Sequence, residues 1–184
     1  MFFTCFLVLL LLDIMLGKLI TSKTRLRLLI KFFISQANKG YLNGLANEMG
    51  ESTNSIRKEL NHLYNAGYLV RVKKNNKIEY KVNSTHPLYE TLRKVVLKHL
   101  GLEDLVETVL DKMGKVEKII LIGDYARGID SGNIEIFLVG KNLNTDYIQN
   151  LEQKIEKLIG RKVSFYLTSN LTNNQSNITL YSKS

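Results

Sequence analysis

The spacing of hydrophobic residues changes once within residues 24–82, and that change constrains the fold more than any other feature of the chain. Three successive segments repeat apolar residues at intervals of three and four, the spacing of a helix with one buried face. Two shorter segments then alternate apolar and polar residues, which is typical of half-buried strands. The sequence therefore predicts three helices followed by a two-stranded hairpin.

The three predicted helices have short, well-marked boundaries. The first begins at Thr24, "QANKG" separates it from the second, and "GES" separates the second from the third. The third opens at "STNS", where Ser52 or Thr53 can cap the N-terminus, and Gly67 suits the left-handed residue that follows a helix. The apolar positions are Leu26, Leu29, Ile30 and Phe33 in the first helix, Leu42, Leu45, Ala46 and Met49 in the second, and Ile56, Leu60 and Leu63 in the third.

The two alternating segments are typical of the strands of a hairpin. In "YLVRVK", Leu69 faces the opposite way from Val70 and Val72, and in "IEYKV", Glu79 and Lys81 alternate with apolar residues. Between them, "KKNNK" forms a polar and basic tip. Two helices, a turn, a third helix and a hairpin follow one another in a winged helix-turn-helix.

Charge is distributed unevenly along the chain. Residues 1–100 carry 16 Lys and Arg against 6 Asp and Glu, whereas residues 101–184 carry 10 against 11. A basic half joined to a nearly neutral half indicates that one part meets a polyanion and the other does not. Nucleic acid and an anionic membrane surface are the candidate polyanions.

The winged-helix order also predicts which side chains contact DNA. The third helix of such a domain enters the major groove, and the hairpin meets the neighbouring backbone or the minor groove. Arg and Asn can read guanine and adenine, while the other polar side chains suit phosphates. The predicted DNA-binding residues are Asn54, Ser55, Arg57, Lys58 and Asn61 on the third helix, Lys73, Lys74, Asn75 and Lys77 at the hairpin tip, and Arg25 at the start of the first helix.

Residues 19–82 resemble bacterial winged-helix transcriptional regulators of the ArsR/MarR-like kind. The resemblance implies binding to double-stranded DNA as a two-fold homodimer. The apolar helix at residues 88–100 suits dimerisation, although packing within the subunit would give the same pattern. Cys5 is the only cysteine, so the paired metal-sensing cysteines of ArsR-type proteins are absent and no metal or cofactor is predicted.

The second half of the chain changes to strands separated by a helix. "EKIILIG" and "NIEIFLVG" are typical of buried strands, "TDYIQNLEQKIEKLIG" of an amphipathic helix, and "KVSFYL" of a third strand. This alternation predicts a small α/β domain. Together with the winged helix, it makes the predicted fold class α+β.

Residues 117–167 resemble a minimal nucleotidyltransferase domain. In that family a Gly-Ser turn follows a strand, a helix carries Ala-Arg-Gly, and the next strand bears Asp-x-Asp, whose carboxylates hold two Mg²⁺ ions. The scaffold is present here in "IILIGDYARG", but Asp124 stands at the Ser position and "NIE" at Asp-x-Asp. Ser164 stands at the expected third carboxylate. The remnant of the nucleotide site comprises Gly123, Asp124, Arg127, Gly128, Asn133 and Glu135.

One Glu, one amide and one hydroxyl are a poor ligand set for two Mg²⁺ ions, so we expect the domain to be catalytically inactive. It would serve a DNA-binding regulator by binding an unknown small-molecule or protein effector or by dimerising. Proteins with this pairing resemble regulators found beside bacterial surface-polysaccharide gene clusters. The alternatives are a metal-dependent nucleotidyltransferase whose winged helix docks its substrate, and a membrane-surface adaptor anchored by residues 2–12.

The N-terminus carries "FFTCFLVLLLL", which is too short to span a membrane and lacks the basic start of a signal peptide. It indicates either a true start at Met15 or a short buried or partner-facing helix, and we expect a cytoplasmic protein. The predicted organisation is an apolar segment at 1–18, a winged helix at 19–84, a helical linker or dimerisation region at 85–115, the transferase-like domain at 116–168 and a disordered tail at 169–184.

Overall fold

Two sheets organise the computed structural model of this chain, which describes residues 20–167 and 177–183. The first sheet has three antiparallel strands and belongs to the basic half of the chain. The second has four strands of mixed direction. Helices accompany both sheets, so the fold class is α+β as predicted.

The first half contains the predicted three helices and hairpin. Its elements are α1 (Lys23–Phe33), β1 (Lys39–Tyr41), α2 (Leu42–Met49), α3 (Thr53–Asn65), β2 (Leu69–Lys74) and β3 (Lys77–Val82). The Ser52 hydroxyl accepts a hydrogen bond from the backbone N–H of Ser55 at 3.1 Å, which caps α3. Gly67 follows α3 with φ +80. Both predicted ends of the third helix are therefore confirmed.

Two local features of the first sheet differ from the sequence prediction. Residues 39–41, expected only to separate two helices, form a strand that pairs with β3. Three residues are too few to produce a recognisable alternation. The hairpin tip is also tighter than "KKNNK" suggests, because Asn75 and Asn76 alone make the turn with φ +45 and +58. Lys74 and Lys77 consequently pair within the strands.

The helix at α4 (Tyr89–His99) packs inside the subunit. Its Tyr89 ring stacks on Phe33 of α1 with ring centroids 5.8 Å apart, and Tyr89 and Val96 belong to the same buried core as α1. Helix α1 also buries Leu28 and Phe32, in addition to its predicted apolar face. Part of the apolar surface of residues 88–100 is therefore covered within the subunit. Their role in dimerisation stays a prediction.

The second half forms a mixed sheet. Its elements are α5 (Leu102–Lys112), β4 (Lys115–Ile122), α6 (Gly123–Ala126), β5 (Asn133–Lys141), a 3-10 turn (Thr145–Tyr147), α7 (Ile148–Ile159), β6 (Lys162–Leu167) and β7 (Ile178–Ser182). The strand order is β6-β5-β4-β7, with β5 and β6 parallel and the other pairs antiparallel. Apolar residues of α5 and α7 share one core with β4, β5 and β6. The second half therefore has the strands and helix that the sequence predicts.

The prediction that residues 169–184 form a disordered tail is wrong for residues 178–182. These residues form β7, which pairs with the free edge of β4, and Ile178 is buried beside Leu121. The tail is rich in Asn and Ser, but Ile178 and Leu180 pack against the core beside β4. Strand pairing also satisfies backbone groups of β4 that would otherwise lie unpaired at the sheet edge.

The predictions about residues 1–18 lie outside the described residues. Within the ranges that the structure describes, no helix is long and apolar enough to cross a membrane.

Candidate nucleic-acid interface

Helix α3 presents the polar face that the sequence predicts. Ile56, Leu60 and Leu63 are buried in the core. On the other side, Asn54, Arg57 and Lys58 are exposed. Ser55 is half-buried because its hydroxyl lies 3.3 Å from that of Thr24 on α1. The N-terminal part of α3 thus combines exposed amide and cationic side chains on a helix anchored through its apolar face.

A groove of about 740 Å³ lies between α3, the start of α2 and the hairpin. Its lining residues are Tyr41, Leu42, Asn43, Gly44, Arg57, Asn61, Arg71, Lys77, Ile78 and Tyr80. Three of them are cationic and none is acidic. Arg57, Arg71 and Lys77 form no ion pair with any residue in the described part of the chain. The groove therefore favours an anionic occupant.

The hairpin tip extends this cationic surface. Lys73, Lys74, Asn75 and Lys77 are all exposed. Because Lys74 and Lys77 pair directly across the two-residue turn, the positive charges are concentrated at the end of the hairpin. The structure places the predicted wing residues beside the groove, with Lys77 belonging to both.

Arg25 occupies a different environment from the one predicted. Its Nε lies 2.7 Å from Oε2 of Glu59, and the Ser22 hydroxyl donates to Oε1 of the same carboxylate at 2.8 Å. Burial raises the pKa of Glu59, but the hydrogen bonds from Arg25 and Ser22 and the charge of Arg25 outweigh it and hold that pKa below its ordinary value. Arg25 therefore neutralises a carboxylate that is only 6% exposed and joins α1 to α3.

Arg71 was not among the predicted contacts, although its partner Asn61 was. Arg71 donates to Oδ1 of Asn61, and its guanidinium carbon lies 3.9 Å from the ring centroid of Tyr64 and 5.4 Å from that of Tyr80. A signal for this position exists in the sequence. Strand alternation places Arg71 on the same side as Leu69, which is buried toward the helices.

Tyr41 and Glu79 support the wall of the groove formed by β1 and β3. The Tyr41 hydroxyl donates to Oε1 of Glu79 at 2.8 Å, and Lys39 Nζ lies 3.7 Å from the same oxygen. The hydrogen bond from Tyr41 lowers the pKa of Glu79 and outweighs burial, with help from the charges of Lys39 and Lys74. The same bond raises the pKa of Tyr41. Glu79 is thus already paired with Tyr41 and Lys39.

The remnant of the nucleotide site, in the second half, lies where β4 ends. Gly123 has φ +68, and a Cβ on it would lie 2.0 Å from Oε2 of Glu135, so the carboxylate of Glu135 rests directly against this turn. Asp124 forms an ion pair with Arg127. Glu135 pairs in register with Ser164 on β6, so these two positions, which correspond to carboxylates in the nucleotidyltransferase pattern, lie side by side.

Asp130 does not join that cluster. It accepts a hydrogen bond from the Tyr125 hydroxyl and lies 3.5 Å from Arg161 Nε, which itself donates to the Tyr125 hydroxyl at 3.1 Å. Burial, the hydrogen bond to Asp130 and the charge of Asp130 raise the pKa of Tyr125 to about 12. These contacts tie the loop after α6 to the start of β6. Within the described ranges, no group of three or more His, Cys, Asp or Glu side chains is arranged to hold a metal ion.

The loop that carries Arg127 also contacts the winged helix. Gly128 has φ +74, and a Cβ there would lie 2.6 Å from Cα of Lys31 in α1. Asn38 donates its side-chain amide to the backbone carbonyl of Ala126 at 3.4 Å. Lys31 is buried and forms an ion pair with Glu48 of α2 at 2.9 Å. The remnant loop therefore contacts α1 and the segment that follows it.

Comparison with known proteins finds partly similar solved structures but no family. No family model matches the chain, and no curated protein matches it. A crystal structure of a mutant of the toxin-antitoxin MntA-HpeT is similar with 19% identity and a TM-score of 0.40, over 44% of this chain and 73% of that one. A crystal structure of the AntR antimony-specific transcriptional repressor is similar with 21% identity and a TM-score of 0.35, over 54% of this chain and 80% of that one.

Proposed function

We propose that this protein is a sequence-specific regulator of transcription that binds double-stranded DNA through α3, the acid-free groove and the hairpin tip. One observation carries the proposal. The groove between α3 and the hairpin is lined by three cations without partner carboxylates, and the exposed lysines of the tip continue the same positive surface. Unpaired cations arranged along a helix and a hairpin suit the phosphates on either side of a major groove.

The division of roles within this interface follows from the chemistry of each side chain. Lys58, Lys73 and Lys74 are exposed point charges, which suit phosphates and give affinity without base preference. Arg57 and Asn61 line the groove and carry planar, multiple hydrogen-bonding groups that suit base edges. Arg25 is excluded from this list because its charge is used within the protein.

The C-terminal half serves this regulator, in our proposal, as a catalytically inactive regulatory domain. Two acids near its turn are already paired, since Asp124 contacts Arg127 and Asp130 contacts Arg161. Few free ligands therefore remain for the Mg²⁺ and triphosphate that nucleotidyl transfer requires. The contact of Gly128 with Lys31 gives an effector or protein partner of this half a direct route to α1. We also propose that the protein acts as a homodimer in the cytoplasm.

The deciding experiment measures binding of the full chain to labelled duplex from upstream of its own gene and to a scrambled duplex of equal length, across a salt series. We expect tighter binding to the native sequence and a steep decrease in affinity with rising salt, because phosphate contacts release counterions. Equal, weak binding to both duplexes would contradict a sequence-specific role.

A second assay addresses the proposed lack of catalysis. We expect no transfer of labelled nucleotide in Mg²⁺ or Mn²⁺, either to the protein itself or to added nucleic acid. Transfer that disappears in Glu135→Ala would establish the enzymatic alternative, because Glu135 is the carboxylate retained at the Asp-x-Asp position.

A further inference from the structure

The centre of the groove contains a hydrogen bond that limits what Asn61 can read. Arg71 reaches from β2 toward α3 and donates to Oδ1 of Asn61, and both side chains line the groove. An Asn amide has one carbonyl oxygen that accepts and one NH₂ group that donates. Arg71 occupies one of the two lone pairs of Oδ1 and turns this oxygen toward β2, so the group that Asn61 presents most freely to an occupant of the groove is its NH₂.

This restriction changes the base that suits Asn61. Adenine offers the major groove one acceptor, N7, and one donor, the N6 amino group, so its recognition by Asn uses the amide oxygen and the amide nitrogen together. Guanine offers two acceptors, N7 and O6. We propose that Arg71 is a positioning residue that orients the amide of Asn61 so that it reads mainly as a donor, which selects guanine over adenine at the base pair it contacts. The assignment rests on the DNA-binding function proposed above.

The surroundings of Arg71 explain why it holds this orientation. Its guanidinium stacks 3.9 Å from the ring centroid of Tyr64 and lies 5.4 Å from that of Tyr80, which faces it across the β2–β3 pair. Stacking leaves the N–H groups of an arginine free to donate in the plane of the guanidinium. No carboxylate in the described part of the chain forms an ion pair with Arg71, so none competes with Oδ1 of Asn61.

The test is the base preference of the full-length protein, position by position, on the duplex it selects from a randomised pool. The variants are Arg71→Met, Asn61→Ala and the double variant, with Lys94→Met at an exposed position of α4 as a control for the loss of one charge. At the one position whose preference Asn61→Ala removes, we expect the native protein to favour guanine over adenine by roughly tenfold. Arg71→Met should shift that ratio toward adenine by roughly tenfold, and it should have no such effect when Asn61 is already Ala.

Tyr64→Leu provides a second variant that keeps the guanidinium and removes its aromatic support. It should shift the same ratio in the same direction by a smaller factor, which covers the case in which Arg71→Met fails to fold. An unchanged ratio in folded Arg71→Met or Tyr64→Leu, or a native preference for adenine at the Asn61-dependent position, would overturn the assignment. Absence of any sequence-specific binding by the native protein would instead refute the proposed function, and this assignment with it.

Discussion

The acid-free groove and the remnant of the nucleotide site differ in how their charged side chains are paired. In the groove, Arg57, Arg71 and Lys77 have no ion-pair partner among the described residues. In the remnant site, Asp124 is paired with Arg127. Unpaired cations are prepared for an external ligand of opposite sign, whereas Asp124 and Arg127 already neutralise each other and leave Glu135 as the remaining charge of the remnant site.

The largest expected effect is a loss of DNA affinity that follows from substitutions in the groove and not from substitutions in the remnant site. The double change Arg57→Ala, Asn61→Ala should reduce specific DNA affinity by roughly 2–5 kcal/mol, because it removes two side chains suited to base edges. The matched change Asp124→Asn, Arg127→Gln removes one charge of each sign from the remnant site and should leave affinity unchanged. Titration of labelled duplex measures both, and equal losses in the two variants would contradict the comparison.

The next effect concerns whether the remnant loop is a structural support. Gly128→Ala places a methyl group against the backbone of Lys31 in a left-handed conformation, and it should reduce the free energy of unfolding by roughly 2–4 kcal/mol. Gly132→Ala is the matched control, since Gly132 has φ +83 but no atom within 4 Å of the added Cβ. It should reduce the free energy of unfolding by only about 1–2 kcal/mol. Denaturant unfolding measures the two losses of free energy. Equal losses in Gly128→Ala and Gly132→Ala would show that the backbone of α1 at Lys31 moves away from the added methyl group without cost.

The smallest effect is a dependence of stability on alkaline pH. Tyr125 has a folded-state pKa of about 12, above the value of about 10 for an unfolded tyrosine. Its contribution is therefore complete below about pH 10 and is lost as the pH rises toward 12. Tyr125→Phe should reduce the free energy of unfolding at neutral pH by roughly 1–3 kcal/mol and should weaken this alkaline loss.

Denaturant unfolding at neutral and alkaline pH tests this, with Tyr166→Phe as a control because Tyr166 is exposed. An alkaline loss of equal size in Tyr125→Phe and in the native protein would show that Tyr125 is not its source.

Much of the winged helix could be predicted from the sequence because its signals are local. Helical spacing, the Ser52 cap and strand alternation each involve residues close together in the chain, and the structure bears them out. Strands β1 and β7 escaped prediction because each is defined by its partner, β3 or β4, rather than by a pattern of its own. Edge pairing of this kind is a tertiary property.

The candidate site was predictable in position but not in the use of its charges. The sequence predicts DNA contacts for both Arg25 and Arg57. Only the fold shows that Glu59 pairs with Arg25, whereas Arg57 forms no ion pair among the described residues. Arg71 was missed because its importance depends on Asn61 and Tyr64, which lie on another element. Ion pairs and stacking between elements depend on the assembled structure.

The close approach of Gly128 to Lys31 also bears on how this protein can be dissected. A fragment that stopped after α4 would lose the loop that covers the backbone of α1, and the amide of Asn38 would lose its carbonyl partner. A fragment that began at α5 would expose the loop at Ala126 and Gly128 that contacts α1 in the full chain. Truncation is therefore a poor way to assign a role to either half, and point substitutions in the intact chain are the informative genetic tool.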